Sequence, residues 1–208
     1  MTKEDVITKK DIHKFLKEIG IKKNDTVLIH TSMRAIGETE GGCDGIIDAF
    51  CSYLSEGLFL VPSHTWENVN PENPVYDVRK TIPCIGALPT VAAFRKDGVR
   101  SLHPTHSVTA FGKRAAEFVE IEKNSQTPCS PDGAWAKLAD ENASILLIGV
   151  GLSSCTFIHA IDEMLELPDR ISEPFMIKVT DYDGNEEERK MSKHMKTGSA
   201  NYENYRKN

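Results

Sequence analysis

The sequence has no apolar run long enough to cross a bilayer, and its first residues are charged. This pattern predicts a chain with neither an export signal nor a membrane anchor. Long basic runs are also missing, and the formal net charge is −6 at pH 7. Nucleic acid and acidic membrane surfaces are therefore poor partners, whereas a cationic small molecule suits this charge. We expect a cytoplasmic protein.

No Cys-x-x-Cys pair occurs among the five cysteines, which are odd in number and scattered along the chain. Such usage disfavours both a disulfide framework and a zinc ribbon, so reduced thiols are expected. The 208 residues, 39% of them hydrophobic, suffice for one domain with a substantial core. No internal repeat is present, and nothing in the sequence indicates an oligomeric state.

Helical and strand patterns alternate along the chain. Short apolar runs predict interior strands at residues 26–30, 58–62 and 144–150. Apolar residues at helical spacing predict helices at residues 9–19, 45–54, 85–94 and 156–165. This alternation predicts an α/β fold, a single domain with a central mixed sheet flanked by helices.

The C-terminal part of the chain carries a hairpin pattern and then loses all periodicity. Residues 175–180 and 186–190 flank an Asp-Gly pair, which is typical of a tight hairpin turn. The polar residues 191–208 have no helix cap or apolar period, so they are predicted to be a poorly ordered tail. The domain is accordingly expected to span residues 1–190.

Residues 63–83 show no clear period and predict a long loop. Within it, Trp66 and Tyr76 offer flat aromatic surface, while Glu67 and Asp77 offer negative charge. A cationic sugar binds well to such groups, so we predict that this loop borders a ligand site. The alternative is a surface loop packed by its own aromatic side chains.

Two motifs suggest other chemistry and fit it poorly. His103 and His106 are three residues apart, as in some metal sites, but Pro104 disfavours the helix that such pairs use and no acid lies alongside. The turn at Gly149-Val150-Gly151 follows a strand, yet it lacks the third glycine and the acidic partner of a dinucleotide site. We therefore predict neither a metal nor a nicotinamide cofactor.

The predicted helix at residues 156–165 gathers reactive side chains on one face. Cys155, His159, Asp162 and Glu163 stand at positions i, i+4, i+7 and i+8. A helix N-terminus favours the neutral imidazole that a general base requires, and the acids can orient the ring. An exposed polar face with incidental charges would give the same spacing.

Several segments together resemble the aminoglycoside 3-N-acetyltransferase family. The match runs from about Lys9 to Glu166, and the order and spacing of the segments carry it. The segments are Val27-Leu28-Ile29-His30-Thr31-Ser32, Leu60-Val61-Pro62-Ser63-His64-Thr65-Trp66, Ile85-Gly86-Ala87-Leu88-Pro89, Arg100-Ser101-Leu102-His103-Pro104-Thr105-His106-Ser107, and Leu147-Ile148-Gly149-Val150-Gly151 through Cys155-Thr156-Phe157-Ile158-His159.

This resemblance implies the family's α/β fold, acetyl-CoA as acyl donor, and the 3-amino group of a 2-deoxystreptamine antibiotic as acceptor. It implies that His159 is the catalytic base, with Asp162 at the position of a common glutamate and Glu163 as the neighbouring alternative. Loops that approach the coenzyme are matched by His30, Thr31, Ser32, His106 and Ser107. Backbone N–H groups at Thr31-Ser32, or the Ser107 hydroxyl, are candidate donors to the oxyanion.

Relatives continue beyond the predicted hairpin, so the resemblance also implies a C-terminally shortened member. Coenzyme binding fits such a chain, whereas acceptor binding depends on walls that follow the hairpin in relatives. One alternative is therefore a module that binds coenzyme A or a cationic ligand without turnover. Another is a ping-pong acyltransferase in which His159 activates Cys155. The natural acceptor is either an antibiotic or a metabolic amine.

Overall fold

The computed structural model describes residues 6–195 and contains seven α-helices and eight strands in that range. None of the helices in this part of the chain is long and apolar enough to cross a membrane. The helices are α1 (Lys9–Glu18), α2 (Met33–Ile36), α3 (Gly42–Tyr53), α4 (Ala87–Phe94), α5 (Ala115–Glu120), α6 (Ala134–Asp140) and α7 (Phe157–Met164). The strands are β1 (Thr26–Thr31), β2 (Leu58–Pro62), β3 (Val75–Asp77), β4 (Val99–Arg100), β5 (Val108–Phe111), β6 (Ser144–Ile148), β7 (Phe175–Thr180) and β8 (Glu186–Met191).

A five-stranded mixed sheet forms the centre, in the order β4-β5-β2-β1-β6. Strand β1 is parallel to both β2 and β6, whereas β5 is antiparallel to β2 and β4. Strands β1 and β2 lie inside the sheet and are almost wholly buried. The predicted α/β class and central mixed sheet are confirmed.

The prediction that residues 144–150 form an interior strand is wrong in its placement. Strand β6 ends at Ile148 and lies at an edge of the sheet as far as residues 6–195 define it, with every residue half-buried. An unbroken apolar run is typical of a strand covered on both faces, but it does not report how many neighbouring strands pair with it.

Helices cover both faces of the central sheet because successive strand residues point to opposite sides. In β1, Val27 and Ile29 pack into a core with α1, α3 and α4, while Leu28 joins a second core with α5, α6 and α7. Strand β2 divides its side chains in the same way. The alternation therefore builds two hydrophobic layers, one on each face.

A second, three-stranded sheet in the order β3-β7-β8 corrects the prediction that residues 63–83 are loop throughout. Strand β3 pairs in parallel with β7, and its Tyr76 is fully buried. Three residues are too few to show a period, so their strand pairing has no local signature. The β7–β8 hairpin is as predicted, with Gly184 at a φ of +87° and the Asp181 carboxylate accepting turn N–H groups.

The first residues of the predicted tail are packed against the domain. Strand β8 extends to Met191, whose side chain is fully buried, so the predicted boundary at residue 190 falls within a strand. The Ser192 N–H donates to the Gln126 carbonyl, and His194 forms a β-bridge with Ile171. Polar composition did not reveal this packing because backbone hydrogen bonds supply much of it. Residues 196–208 of the predicted tail lie outside the described residues.

Candidate active site

Chain segments that leave the central sheet meet at the end of the sheet where β1, β2 and β6 have their carboxyl ends. His30 lies next to the last residue of β1, and His64 follows β2. His106 precedes β5, whose first residue Val108 pairs with Pro62. The turn after β6 lies at the same end of the sheet and packs closely on Ala35. At Gly149 in this turn φ is +71°, and a Cβ there would lie 2.5 Å from the Ala35 Cβ. Carboxyl ends of parallel strands are the usual ligand site of such sheets.

A cavity of about 440 Å³ opens at this end of the central sheet. This volume is in the range of small-molecule sites. The lining residues come from the ends of strands, the start of α7 and the segment after β8: His64, Trp66, His106, Ser153, Ser154, Cys155, Thr156, His159, Asp162, Arg170, Lys193, His194 and Met195.

His159 projects from the first turn of α7 into this cavity, with its side chain 35% exposed. Its Nδ1 lies 3.9 Å from the Asp162 Oδ2, and the same oxygen lies 3.8 Å from the Arg170 Nε. Asp162 itself is buried. Of the two acids on this helix face, Asp162 thus lies at ion-pair distance from His159 but beyond hydrogen-bond reach.

The pKa of His159 is lowered to about 4, chiefly because burial disfavours the charged ring. His194 lowers this pKa further, whereas the negative charges of Asp162 and Glu163 raise it. The imidazole is therefore neutral at pH 7, as a general base must be. Burial is the largest of the causes that shift this pKa.

Glu163 is oriented away from this pair although it follows Asp162 directly. Its carboxylate accepts hydrogen bonds from the Thr127 hydroxyl and from the Cys129 N–H, the latter at 2.8 Å. The His194 Nε2 lies 3.2 Å from the Glu163 Oε1. The two acids that share one face in the sequence pattern thus contact different histidines.

His64 and His106 are also neutral. Burial lowers the pKa of His64 and of His106 well below the usual range. The His64 Nε2 lies 2.9 Å from the Thr156 hydroxyl, and the Thr156 N–H donates to His30. These contacts hold the start of α7 against the ends of β1 and β2.

Two groups of side chains have the residue types of a metal site, and neither fits one well. The His103 Nδ1 accepts the N–H groups of Thr105 and His106, and its Nε2 bonds the Thr127 carbonyl, so neither nitrogen is available to an ion. Ligand atoms of Cys129, Glu163 and His194 lie within 4.8 Å of one another. Burial raises the pKa of the Cys129 thiol far above its usual range, which opposes the thiolate that a metal requires.

Two of the five residues matched to coenzyme loops lie at or beside the cavity. His106 lines it, and His30 bonds the cavity residue Thr156 from behind. The Ser32 N–H is bonded to the Ile148 carbonyl, and Thr31 is paired with β6. The buried Ser107 hydroxyl donates to the Ser63 carbonyl. The oxyanion donors suggested at Ser32 and Ser107 are thus engaged inside the fold.

The residues predicted to meet the acceptor are divided. Trp66 lines the cavity, whereas Glu67 and Asp77 are not part of its described lining. Asp77 belongs to β3 and lies 2.9 Å from the Lys80 ammonium. Only the first part of the predicted loop therefore borders the cavity.

Sequence reasoning missed His194, Arg170 and Lys193, which the second sheet and its flanking segments bring to the cavity. His194 lies in the stretch predicted to be a tail, and no local pattern marks it. His64 does have a sequence signal, since it lies two residues after the buried strand β2.

The profile of the aminoglycoside 3-N-acetyltransferase family matches residues 28–208. Aminoglycoside N(3)-acetyltransferase IX of Micromonospora chalcea is 29% identical over 180 residues, covering 77% of this chain and 63% of the relative. The aminoglycoside N(3')-acetyltransferase-like protein YokD of Bacillus subtilis is 28% identical over 178 residues, covering 73% of this chain and 63% of that protein.

Solved structures share the fold. Aminoglycoside acetyltransferase AAC(3)-Xa superposes with a TM-score of 0.79 at 24% identity, covering 94% of this chain and 74% of its own. AAC-IIIb in its binary complex with CoASH gives 0.78 at 21% identity, covering 94% and 80%. This chain spans 63% of the length of the curated relatives that it matches. On the extent of the profile match, the chain belongs to the aminoglycoside 3-N-acetyltransferase family.

Proposed function

We propose that this chain transfers an acetyl group from acetyl-CoA to the 3-amino group of a 2-deoxystreptamine aminoglycoside, an activity that confers antibiotic resistance. The observation that carries this proposal is the neutral His159 at the cavity wall, beside the buried Asp162. Relatives named for this reaction, and structures of AAC-IIIb with CoASH and of AAC-VIa with sisomicin, support the two substrates. Since acetyl-CoA is a cytoplasmic metabolite, we place the activity in the cytoplasm.

In the proposed reaction, His159 takes a proton from the acceptor nitrogen as that nitrogen attacks the thioester carbonyl. A C–N bond forms, the C–S bond breaks, and coenzyme A leaves as a thiolate that is then protonated. Asp162, which is 3.9 Å from the imidazole, stabilises the imidazolium as it forms. Catalysis then depends on an interaction that is stronger in the transition state than in the free enzyme.

The chemistry of the cavity suits both substrates. Arg170 and Lys193 bring positive charge that the phosphates of the coenzyme can use. Trp66 offers an aromatic face to a cationic sugar, and Asp162 offers a negative charge. The neutral rings of His64, His106 and His159 add polar surface without repelling a cationic amine.

The proposal is tested with a panel of acceptors. We expect acetyl-CoA plus sisomicin or gentamicin to release free coenzyme A, detected as thiol, because each drug presents a 3-amino group. Sisomicin already acetylated at that nitrogen is the matched control and should release none. Calorimetric binding of acetyl-CoA without thiol release for any amine would contradict the proposal and favour the binding module.

We expect Cys155→Ser to keep turnover within roughly twofold of wild type, since direct attack needs no thiol nucleophile. Burial raises the pKa of the Cys155 thiol, which leaves it protonated and a poor nucleophile at pH 7. The measurement is steady-state coenzyme A release together with a rapid-mixing search for a burst. A burst in wild type that Cys155→Ser abolishes, together with lost turnover, would establish the ping-pong route instead.

A further inference from the structure

His194 stands in the cavity wall on the short segment that follows β8. The segment is fixed by its backbone: the Lys193 N–H donates to the Ser172 hydroxyl at 2.9 Å, and the Met195 N–H donates to the Arg170 carbonyl at 2.9 Å. His194 itself forms a β-bridge with Ile171, and its side chain is only 13% exposed. These backbone contacts and the burial of the side chain therefore restrict the position of the His194 ring.

The carboxylate of the buried Glu163 lies beside the Nε2 atom of this ring. The Glu163 Oε1 lies 3.2 Å from the His194 Nε2 and also accepts the Cys129 N–H at 2.8 Å. The second carboxylate oxygen accepts the Thr127 hydroxyl. With both oxygens bonded, the carboxylate has a fixed orientation beside the His194 ring.

The face of the His194 ring lies against His159. The two ring centroids are 4.1 Å apart, with an interplanar angle of 31°. On its other side, the His194 ring meets His106 at 5.8 Å in an edge-on arrangement. Contact with the His194 ring thus restricts rotation of the His159 imidazole, while Asp162 lies near its Nδ1.

We propose that His194 is a positioning residue for the base: lying between the buried Glu163 and His159, it stacks on His159 and fixes the orientation of that imidazole. This inference rests on the proposed function, in which His159 is the base. It also assigns a role to Glu163 that differs from that of Asp162, because Glu163 acts through His194.

The stacked ring has an electrostatic consequence that packing alone would not have. Since two cationic imidazoles repel each other, His194 lowers the pKa of His159. Asp162 and Glu163 raise that pKa, and Arg170 lowers it. Across the cavity, His64 and His106 also face His159, with their own pKa values lowered by it. Replacing His194 with a ring that cannot be protonated should therefore raise the pKa of His159.

The test follows the His159 imidazole by NMR titration with labelled histidine, the signal being assigned by its loss in His159→Gln. His194→Phe keeps a flat ring over His159 and removes the charge, so we expect the titration midpoint to move to higher pH. Asp162→Asn should move it to lower pH. His13→Phe, on α1 and bonded to the Ala49 carbonyl, is the matched control and should leave it unchanged.

Kinetics complete the test. We expect His194→Ala to lower kcat by roughly 10- to 100-fold, the loss typical of a misplaced catalytic group, with the KM for acetyl-CoA little changed. His194→Phe should recover most of that loss because it restores the stacking. Retention of full kcat by His194→Ala, or an unmoved His159 titration in His194→Phe, would overturn the proposal. Because the titration requires no turnover, it measures the coupling of the two rings even if no acceptor is acetylated and the proposed function fails.

Discussion

We expect His159→Ala to lower kcat by roughly 10²- to 10⁴-fold, the range for losing a positioned general base, while the affinity for acetyl-CoA changes little. The reason is that the imidazole is the neutral base at the cavity wall, beside an acid that stabilises its charged form. The measurement is kcat from coenzyme A release with one good acceptor, paired with calorimetric binding of acetyl-CoA.

The pH dependence of the same reaction tests the role of Asp162. With the pKa of His159 at about 4, kcat of the wild type should be level near neutral pH and fall only on the acidic side. Because the Asp162 charge raises that pKa, Asp162→Asn should move the acidic limb to lower pH. Near wild-type turnover of His159→Ala across the series would disprove the mechanism and direct attention to His106.

The second large effect is a loss of folding stability in mild acid. Burial lowers the pKa of His30 and of His103 to about 4, against an ordinary 6.5. Their stabilisation is complete above pH 6.5 and is lost as the pH falls from there through 4, because the unfolded chain binds the protons first. Between pH 6.5 and 5 this costs about 2 kcal/mol for a group such as His30. Urea denaturation at both pH values measures it.

Two substitutions at a buried contact sharpen this experiment. Burial raises the pKa of Glu122 to about 8, so its contribution has the opposite sign and falls as the pH rises from 4.5 through 8. Glu122→Gln should therefore steepen the acid loss. His103→Asn keeps an acceptor for the N–H groups of Thr105 and His106 and removes the titration, so it should flatten the loss. Identical pH slopes in all three proteins would contradict this account.

Much of the fold follows from short-range patterns. The buried strands β1 and β2 are continuous apolar runs, and the hairpin β7–β8 has its Asp-Gly turn. The stripe of α1 was a less complete guide: Leu16 is buried, but Phe15 and Ile19 are 42% and 45% exposed. A helical period shows which face is apolar, and the neighbouring elements determine how much of that face is covered.

The candidate site divides in the same way. Helical spacing brought His159 and Asp162 onto one face, and the structure places both at the cavity. By spacing alone, Glu163 was as good a candidate as Asp162 to orient His159. Its carboxylate instead contacts Thr127, Cys129 and His194. These partners are distant in sequence, so a local pattern carries no information about them.

The sequence by itself determined the α/β class, the interior strands β1 and β2, and the helix that presents His159, since all of these depend on residues close together in the chain. Only the tertiary structure decided that β6 lies at a sheet edge and that His194 stacks on His159. It also decided that His159 is buried enough to stay neutral. The physical reason is that desolvation and ring contact depend on which distant segments pack together, which no short window of sequence encodes.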